Sequence, residues 1–161
     1  MTKTNAARIL YSQGIAYELL EYEVDESDLS AIAVAAKLNQ PVNLVFKTLV
    51  LQGDKSGIFV CIIPGAEELD LKKAAQASGN KNAAMVPVKQ ILDLTGYVRG
   101  GCSPIGMKKD YPTYIDDSCI LYDFIFVSAG TKGLQLKISP NDLISITSCQ
   151  MADLIMFKKP Y

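Results

Sequence analysis

Two features of this chain have the residue types and spacing that chemistry requires. One is a glycine-rich segment over residues 100–106, Gly-Gly-Cys-Ser-Pro-Ile-Gly, and the other is Lys47 within an apolar run over residues 45–51. Glycines lack a Cβ and let a ligand approach backbone N–H groups, while Pro104 fixes its own φ and restricts Ser103. The glycine-rich segment therefore indicates a shaped, ligand-binding loop, and the alternative is a tight connection between two elements.

Lys47 is a charged residue where apolar side chains are the rule. In a strand over residues 45–51 side chains alternate, so Lys47 shares one face with Val45, Leu49 and Leu51. A buried amine is costly unless it reaches water or meets an anion, and a phosphate or carboxylate of a ligand would serve. The alternative is an edge lysine that reaches solvent and discourages pairing with other strands.

The elements that must position these residues are short and interleaved. Capping residues and glycine stops predict helices that end at Gly14, near Leu38, at Gly79, near Gly96 and after Ile146. Alternating apolar residues predict strands over residues 16–22, 45–51, 58–63, 113–115, 123–128 and 134–138, the second and third joined as a hairpin, while residues 150–157 close the fold. We expect an α+β fold in a single compact domain over residues 1–161. Its sheet should be mixed and largely antiparallel, or a partly open barrel, with surrounding helices.

Length and composition favour an ordinary globular protein. The 161 residues are 49% hydrophobic and 20% charged, which suits one domain with a buried core. The first residues lack the apolar stretch of a signal peptide, and the longest apolar runs are too short to span a bilayer. We therefore expect a cytoplasmic protein without a membrane partner. The four cysteines show no Cys-x-x-Cys spacing, so neither a metal nor a cofactor is predicted.

Charge and the lack of histidine narrow the function further. The chain has no histidine, which excludes Ser-His-Asp and Cys-His nucleophile activation and imidazole metal ligation. A net charge of −1 argues against a bulk nucleic-acid binder, and we expect no DNA partner. The charge is uneven, however, because residues 72–109 carry seven basic residues and one acid, whereas residues 18–28 carry six acids and no base. The glycine-rich segment lies in the basic stretch.

Taken together, five segments resemble a known family in sequence and order: Tyr22, residues 46–49, 69–73, 95–109 and 127–130. They resemble the YbaK/EbsC family of free-standing aminoacyl-tRNA deacylases, which is similar to the editing domain of bacterial prolyl-tRNA synthetases. The resemblance covers nearly the whole chain. It implies a compact fold of that editing-domain type and hydrolysis of the ester between a wrong amino acid and tRNA, with cysteine on proline tRNA as the usual substrate.

The resemblance also implies roles for individual residues. The essential lysine of the family corresponds to Lys47, and the N–H groups of Gly100 and Gly101 are expected to face the developing oxyanion. Substrate contacts are expected from six further residues: Tyr22, Thr48, Ser103, Pro104, Gly106 and Ser128. The expected partner is the acceptor end of an aminoacyl-tRNA, and a prolyl-tRNA synthetase is a candidate second partner.

Some positions depart from the family pattern or have a plainer interpretation. Cys102 replaces an aliphatic loop residue, and a small packed thiol explains it better than a nucleophile because no base accompanies it. Gln135 stands where some relatives have aspartate. The pocket phenylalanine of some relatives has no clear match over residues 29–31. Tyr22 could be a core aromatic and Ser128 a turn residue at the end of a strand.

The nucleophile and the substrate stay open at this point. Without histidine the attacking group is water or, for a cysteinyl ester, the substrate's own thiol, which the resemblance favours. Three functions remain: a Cys-tRNA(Pro) deacylase acting in trans, a deacylase for another charged tRNA such as Ala-tRNA(Pro), and a noncatalytic module that binds tRNA or a nucleotide.

Overall fold

A computed structural model of the chain describes residues 4–158, so the first and last three residues of the expected domain lie outside it. Each of four helices begins at a side chain that accepts a hydrogen bond from a backbone N–H of the first turn, and these caps are Thr4, Ser30, Asp70 and Ser139. The helices are α1 (Asn5–Ser12), α2 (Ala31–Leu38), α3 (Leu71–Ala77), α4 (Ile91–Thr95) and α5 (Pro140–Thr147). Short 3-10 helices span Val42–Leu44, Val88–Gln90 and Asp117–Leu121.

The strands form two sheets that do not close into a barrel. They are β1 (Glu18–Glu21), β2 (Phe46–Gly53), β3 (Gly57–Pro64), β4 (Ala83–Met85), β5 (Thr113–Asp116), β6 (Ile125–Ser128), β7 (Leu134–Ile138) and β8 (Gln150–Ala152). The smaller sheet, in the order β1-β7-β6, is antiparallel. The larger sheet, in the order β4-β2-β3-β5-β8, is mixed, because β5 pairs in parallel with β3 and β8. The expected α+β class with a mixed, largely antiparallel arrangement is confirmed.

The core lies on both faces of β3. Ile62 packs in a cluster with residues of β6 and β7, so the smaller sheet covers one face of the larger one. Phe59, Cys61 and Ile63 point to the other face, where they pack against α3 and Leu154. This alternation follows from the two-residue period of a strand, and both sets are buried because both faces are covered.

The structure differs from the sequence-based expectations mainly in its short elements. β4 was not predicted, since Ala-Ala-Met carries no β-branched residue, and it forms by pairing with the outer edge of β2. The helix expected from Pro87 begins with the 3-10 turn and continues as α4, which ends at the left-handed Gly96. Among residues 4–158, every helix falls short of the length and apolar character needed to traverse a bilayer.

Candidate active site

Lys47 lies where the two sheets meet. An isolated parallel bridge joins Val45, just before β2, to Phe126 in β6. Lys47 and Ser128 each lie two residues beyond this bridge in their own strand, and both line the same pocket. Two strands far apart in sequence thus bring Lys47 and Ser128 close together. The sequence predicted that each lies in a strand, but not that the two are neighbours.

The amine of Lys47 is half-buried and makes no hydrogen bond or ion pair within residues 4–158. Burial lowers the pKa of this amine below its ordinary value, and the charges of Glu68 and Glu67 partly oppose that shift. A lysine that is desolvated without an adjacent counter-ion is poised to bind an anion.

The pocket around Lys47 is small, with a volume of about 110 Å³. Five of the residues expected at the site line it, and these are Tyr22, Lys47, Thr48, Gly100 and Ser128. Its other lining residues are Leu29, Ala31, Val34, Val45, Phe46, Cys102 and Gln135. The structure therefore brings polar residues from β2, β6, β7 and the glycine-rich loop to one cavity whose other lining residues are mostly apolar.

Gly100 and Gly101 have different environments. Gly100 is exposed, has a φ of +85° that favours glycine and lines the pocket. Its N–H makes no hydrogen bond to any group in residues 4–158. Gly101 is buried, and its N–H donates to the carbonyl of Val98 at 3.0 Å. The N–H of Gly101 is thus already paired in this structure, whereas that of Gly100 is not, and the role expected of Gly101 as an oxyanion donor stays a prediction.

The rest of the glycine-rich loop supports the pocket from behind. Ser103 is fully buried, and its Oγ accepts a hydrogen bond from the N–H of Ile105 at 3.3 Å. Pro104 and Gly106 line a different cavity on the other side of the loop. The hydroxyl of Tyr97 donates to the carbonyl of Ile105 at 2.6 Å. Ser103, Pro104 and Gly106 therefore lie outside the lining of the Lys47 pocket. Their expected role as substrate contacts stays a prediction.

Sequence reasoning missed the apolar wall of the pocket. Leu29 and Ala31 line it, although no residue in this segment matched the pocket phenylalanine of some relatives. Ser30 caps α2 and holds its neighbours at the helix start, with its Oγ accepting from the N–H of Ala33 at 3.2 Å. The sequence predicted the start of α2, but it did not show which residues near this start line the pocket.

Cys102 also lines the pocket, but its thiol is not activated. Burial raises the pKa of this thiol to about 11, and the side chain of Thr95 opposes the shift weakly. Roughly one thiol in ten thousand is then ionised at neutral pH. A protonated, packed thiol is a poor nucleophile, which agrees with the plainer interpretation of this residue.

Two buried polar atoms in the pocket have no hydrogen-bond partner within the described residues. They are Oγ1 of Thr48 and Oε1 of Gln135. Buried polar atoms are nearly always paired, so each unpaired one calls for an explanation. Ser128 retains capacity as well, since its Oγ accepts from the N–H of Gly130 at 3.2 Å and its proton can be donated elsewhere. The hydroxyl of Ser128 is thus one hydrogen-bonding group of the pocket with unused capacity.

Residues 4–158 hold no group of three or more His, Cys, Asp or Glu side chains arranged to bind a metal ion.

Known proteins resemble this chain over most of its length. Residues 26–146 match the family described as the aminoacyl-tRNA editing domain. An Enterococcus faecalis protein provisionally named Cys-tRNA(Pro)/Cys-tRNA(Cys) deacylase EbsC is 46% identical over 152 residues, covering 94% of this chain and 93% of that protein. The proline–tRNA ligase of Thermosipho africanus is 32% identical over 76 residues, which are 47% of this chain and 13% of the ligase.

Solved structures share the fold of this chain. The crystal structure of a protein provisionally described as a trans-editing enzyme for prolyl-tRNA synthetase superposes with a TM-score of 0.83. The two chains are 26% identical, and the match covers 97% of this chain and 100% of the other. Lys47 and Gly100 both lie within residues 26–146, and the chain belongs to the aminoacyl-tRNA editing domain family.

Proposed function

We propose that this aminoacyl-tRNA deacylase acts in trans and removes cysteine that has been mischarged onto proline tRNA. The observation that carries the proposal is Lys47, a half-buried amine without an ion-pair partner in residues 4–158, in a small pocket beside an exposed backbone N–H. The provisional name of the Enterococcus faecalis relative supports cysteine as the amino acid and proline tRNA as one carrier.

The size of the pocket supports a small amino acid. At about 110 Å³ it is well below the roughly 300 Å³ at which pockets for drug-sized ligands begin. The aliphatic side chains of Leu29, Ala31 and Val34 give its wall an apolar character that suits a thiol or a methyl group. Cysteine and alanine fit this description, whereas aromatic or long charged side chains do not.

The nucleophile proposed here is the thiol of the substrate. The chain has no histidine, and the high pKa of Cys102 makes an enzymic thiolate scarce. Attack of the cysteinyl sulfur on its own carbonyl forms a C–S bond and breaks the bond to the ribose oxygen, which takes the thiol proton. The resulting four-membered thiolactone is then opened by water to free cysteine. Intramolecular attack needs positioning more than a general base.

The protein's part is to hold the ester and stabilise charge. We assign the oxyanion to the free N–H of Gly100, with the hydroxyl of Ser128 as a second donor. One positioned oxyanion donor contributes about 2.7–4 kcal/mol to the transition state. Lys47 steadies the terminal adenosine phosphate or the ester itself.

The direct test is deacylation of purified Cys-tRNA(Pro) by the wild-type protein and by Lys47→Ala. We expect the variant to lose about a hundredfold or more in rate, as removal of a positioned electrostatic group does. Lys55→Ala is the matched control, because Lys55 is exposed in the turn at the far end of β2 and should keep full activity. Unchanged turnover by Lys47→Ala would exclude the role given to this lysine.

A panel of charged tRNAs, with and without prolyl-tRNA synthetase, separates the remaining functions. Preferential hydrolysis of Cys-tRNA(Pro) supports the proposal, and preferential hydrolysis of Ala-tRNA(Pro) replaces the substrate and requires water as the nucleophile. Salt-sensitive tRNA binding without any hydrolysis would identify a noncatalytic module.

A further inference from the structure

An ion pair lies against the glycine-rich loop at the edge of the pocket. The Nζ atom of Lys132 is 3.0 Å from Oε2 and 3.3 Å from Oε1 of Glu26. A Cβ added at Gly100 would lie 3.3 Å from Cε and 3.5 Å from Cγ of Lys132. The stem of Lys132 thus packs on the exposed glycine of the pocket, which fixes its ammonium group beside the substrate entrance.

Two further positive charges flank the glycine-rich segment. Arg99 precedes Gly100 and is exposed, and the exposed Lys108 packs its stem on Gly96, where a Cβ would lie 3.3 Å from its Cγ. Within residues 4–158 neither Arg99 nor Lys108 forms an ion pair. We call Arg99, Lys108 and Lys132 the basic rim.

An acidic segment lies directly beside Lys132. Glu26 belongs to the segment 23–28, whose other acids are Glu23, Asp25 and Asp28. Asp25 and Asp28 accept hydrogen bonds from the N–H groups of residues 27 and 30, which hold them in the loop as charged groups. A polyanion that enters the pocket is repelled by this segment and attracted by the basic rim.

We propose that Lys132 binds a backbone phosphate at the acceptor end of the tRNA, and that Glu26 holds this lysine in the free protein and gives it up on binding. This inference rests on the proposed function, because it takes tRNA as the ligand. An exposed ion pair is worth only about 0–1 kcal/mol, so exchanging the carboxylate for a phosphate is inexpensive. The fixed stem keeps the amine at the rim during the exchange.

The proposal gives the two partners of one ion pair opposite effects on tRNA affinity. In Lys132→Gln the phosphate contact is lost, so uncharged proline tRNA should bind several-fold more weakly. The slope of log affinity against log salt should fall in magnitude by about 0.7, the value for one single-strand phosphate. In Glu26→Gln the lysine is free and a repulsive charge is gone, so binding should tighten several-fold.

The chain offers a closely matched control pair in Lys137 and Glu18. Their side chains are 31% and 67% exposed, against 29% and 69% for Lys132 and Glu26, and Nζ of Lys137 is 3.6 Å from Oε2 of Glu18. This pair joins β7 to β1, and neither residue lines the pocket. Lys137→Gln and Glu18→Gln remove the same charges and should leave the affinity within about twofold of wild type.

The measurement is the dissociation constant for uncharged proline tRNA across a salt series, with the melting temperature of each variant as a check on folding. Lys132→Arg, which keeps the charge, should bind like wild type. Lys132→Met, which keeps an unbranched apolar stem without the charge, should bind as weakly as Lys132→Gln, whereas a purely structural role for the stem would leave Lys132→Met like wild type. The proposal is overturned if Lys132→Gln and Glu26→Gln match the control pair. It is also overturned if they change affinity only when prolyl-tRNA synthetase is present, since the rim would then contact a protein.

Failure of this inference and failure of the proposed function have different signatures. Binding of uncharged tRNA reports on the basic rim whether or not hydrolysis occurs. Hydrolysis of Cys-tRNA(Pro) by the wild-type protein reports on the proposed function. If hydrolysis proceeds and the two substitutions do not move affinity in opposite directions, the rim proposal alone is wrong.

Discussion

The half-buried position of Lys47 destabilises the folded protein. Its amine is half-buried, its pKa is lowered by burial, and it has no ion-pair partner within residues 4–158. Glu67 and Glu68 interact with it only as more distant charges. A group that weakens the free protein yet faces a pocket is the usual sign of a trade between stability and function.

We therefore predict that Lys47→Met abolishes deacylation and stabilises the fold at pH 7. A gain of about 1 kcal/mol would raise the melting temperature by about 2–4 °C for a protein of this size. Because the folded-state pKa lies below the unfolded one, the cost of the charge is fully present at pH values below both. As the pH rises past the folded-state pKa, folded wild-type Lys47 loses its proton and the cost begins to fall. The cost reaches zero only above the unfolded-state pKa, which is about 10.4.

The measurement is the melting temperature of both proteins from pH 7 to pH 10. The advantage of Lys47→Met should shrink as the pH rises, while other titrating groups affect both proteins equally. A difference that stays constant with pH, or a variant that is less stable at pH 7, would show that burial does not penalise this amine.

At the scale of elements, the glycine-rich loop uses its two adjacent glycines for different purposes. A Cβ at Gly101 would lie 3.0 Å from the backbone N of Lys132 and 3.1 Å from Cα and the carbonyl carbon of Thr131. A Cβ at Gly100 would meet only side-chain atoms, of Leu29 at 3.2 Å and of Lys132. Backbone cannot move aside as the end of a side chain can.

Gly101→Ala should therefore lower the free energy of unfolding by about 2 kcal/mol or more, in the upper part of the range for overpacking. Gly100→Ala should lower the free energy of unfolding by about 1 kcal/mol, because the φ of Gly100 is positive. In proportion to this loss of stability, it should reduce kcat/KM more than Gly101→Ala does. Urea denaturation and deacylation of both variants check the pair. A larger loss of stability for Gly100→Ala would contradict the assigned roles.

The elements show which part of the fold local signals determine. The helices capped by Thr4, Ser30, Asp70 and Ser139 and the hairpin of β2 and β3 depend on residues close in sequence, and the sequence predicted these helices and this hairpin. β4 exists because β2 offers it an unpaired edge, and the burial of Gly101 depends on a loop distant in sequence. Such pairings have no local signature.

The same distinction holds for the site as a whole. The sequence suggested that Lys47, Tyr22, Gly100 and Ser128 act together, and they do line one pocket. It could not show that Pro104 and Gly106 face another cavity, because a loop's direction depends on what packs behind it. The Lys132–Glu26 pair was equally invisible, since two surface charges become neighbours only when their loops fold together.

At the scale of the whole molecule, Asp116 ties the end of the chain to the larger sheet. This residue of β5 has no exposed surface, and its Oδ1 accepts from the N–H of Leu154 at 3.0 Å and from Nζ of Lys158 at 2.6 Å. Its Oδ2 accepts from the N–H of Ser118 at 3.2 Å. None of these residues lines the Lys47 pocket, so this network is separate from the site.

Asp116→Ala should lower the free energy of unfolding by about 2–4 kcal/mol, because it leaves the N–H groups of Leu154 and Ser118 without their acceptor. Lys158 loses one carboxylate but keeps its ion pair with Asp117. Asp116→Asn should cost less, since an amide oxygen can still accept from Leu154 while the charge pairing is lost. Urea denaturation measures both. Below the unfolding transition kcat/KM for Cys-tRNA(Pro) should stay within about twofold of wild type, because the network supports the sheet without touching the pocket. A fall in kcat/KM in fully folded Asp116→Asn would instead mean that the C-terminal segment is coupled to the pocket through β5 and β3.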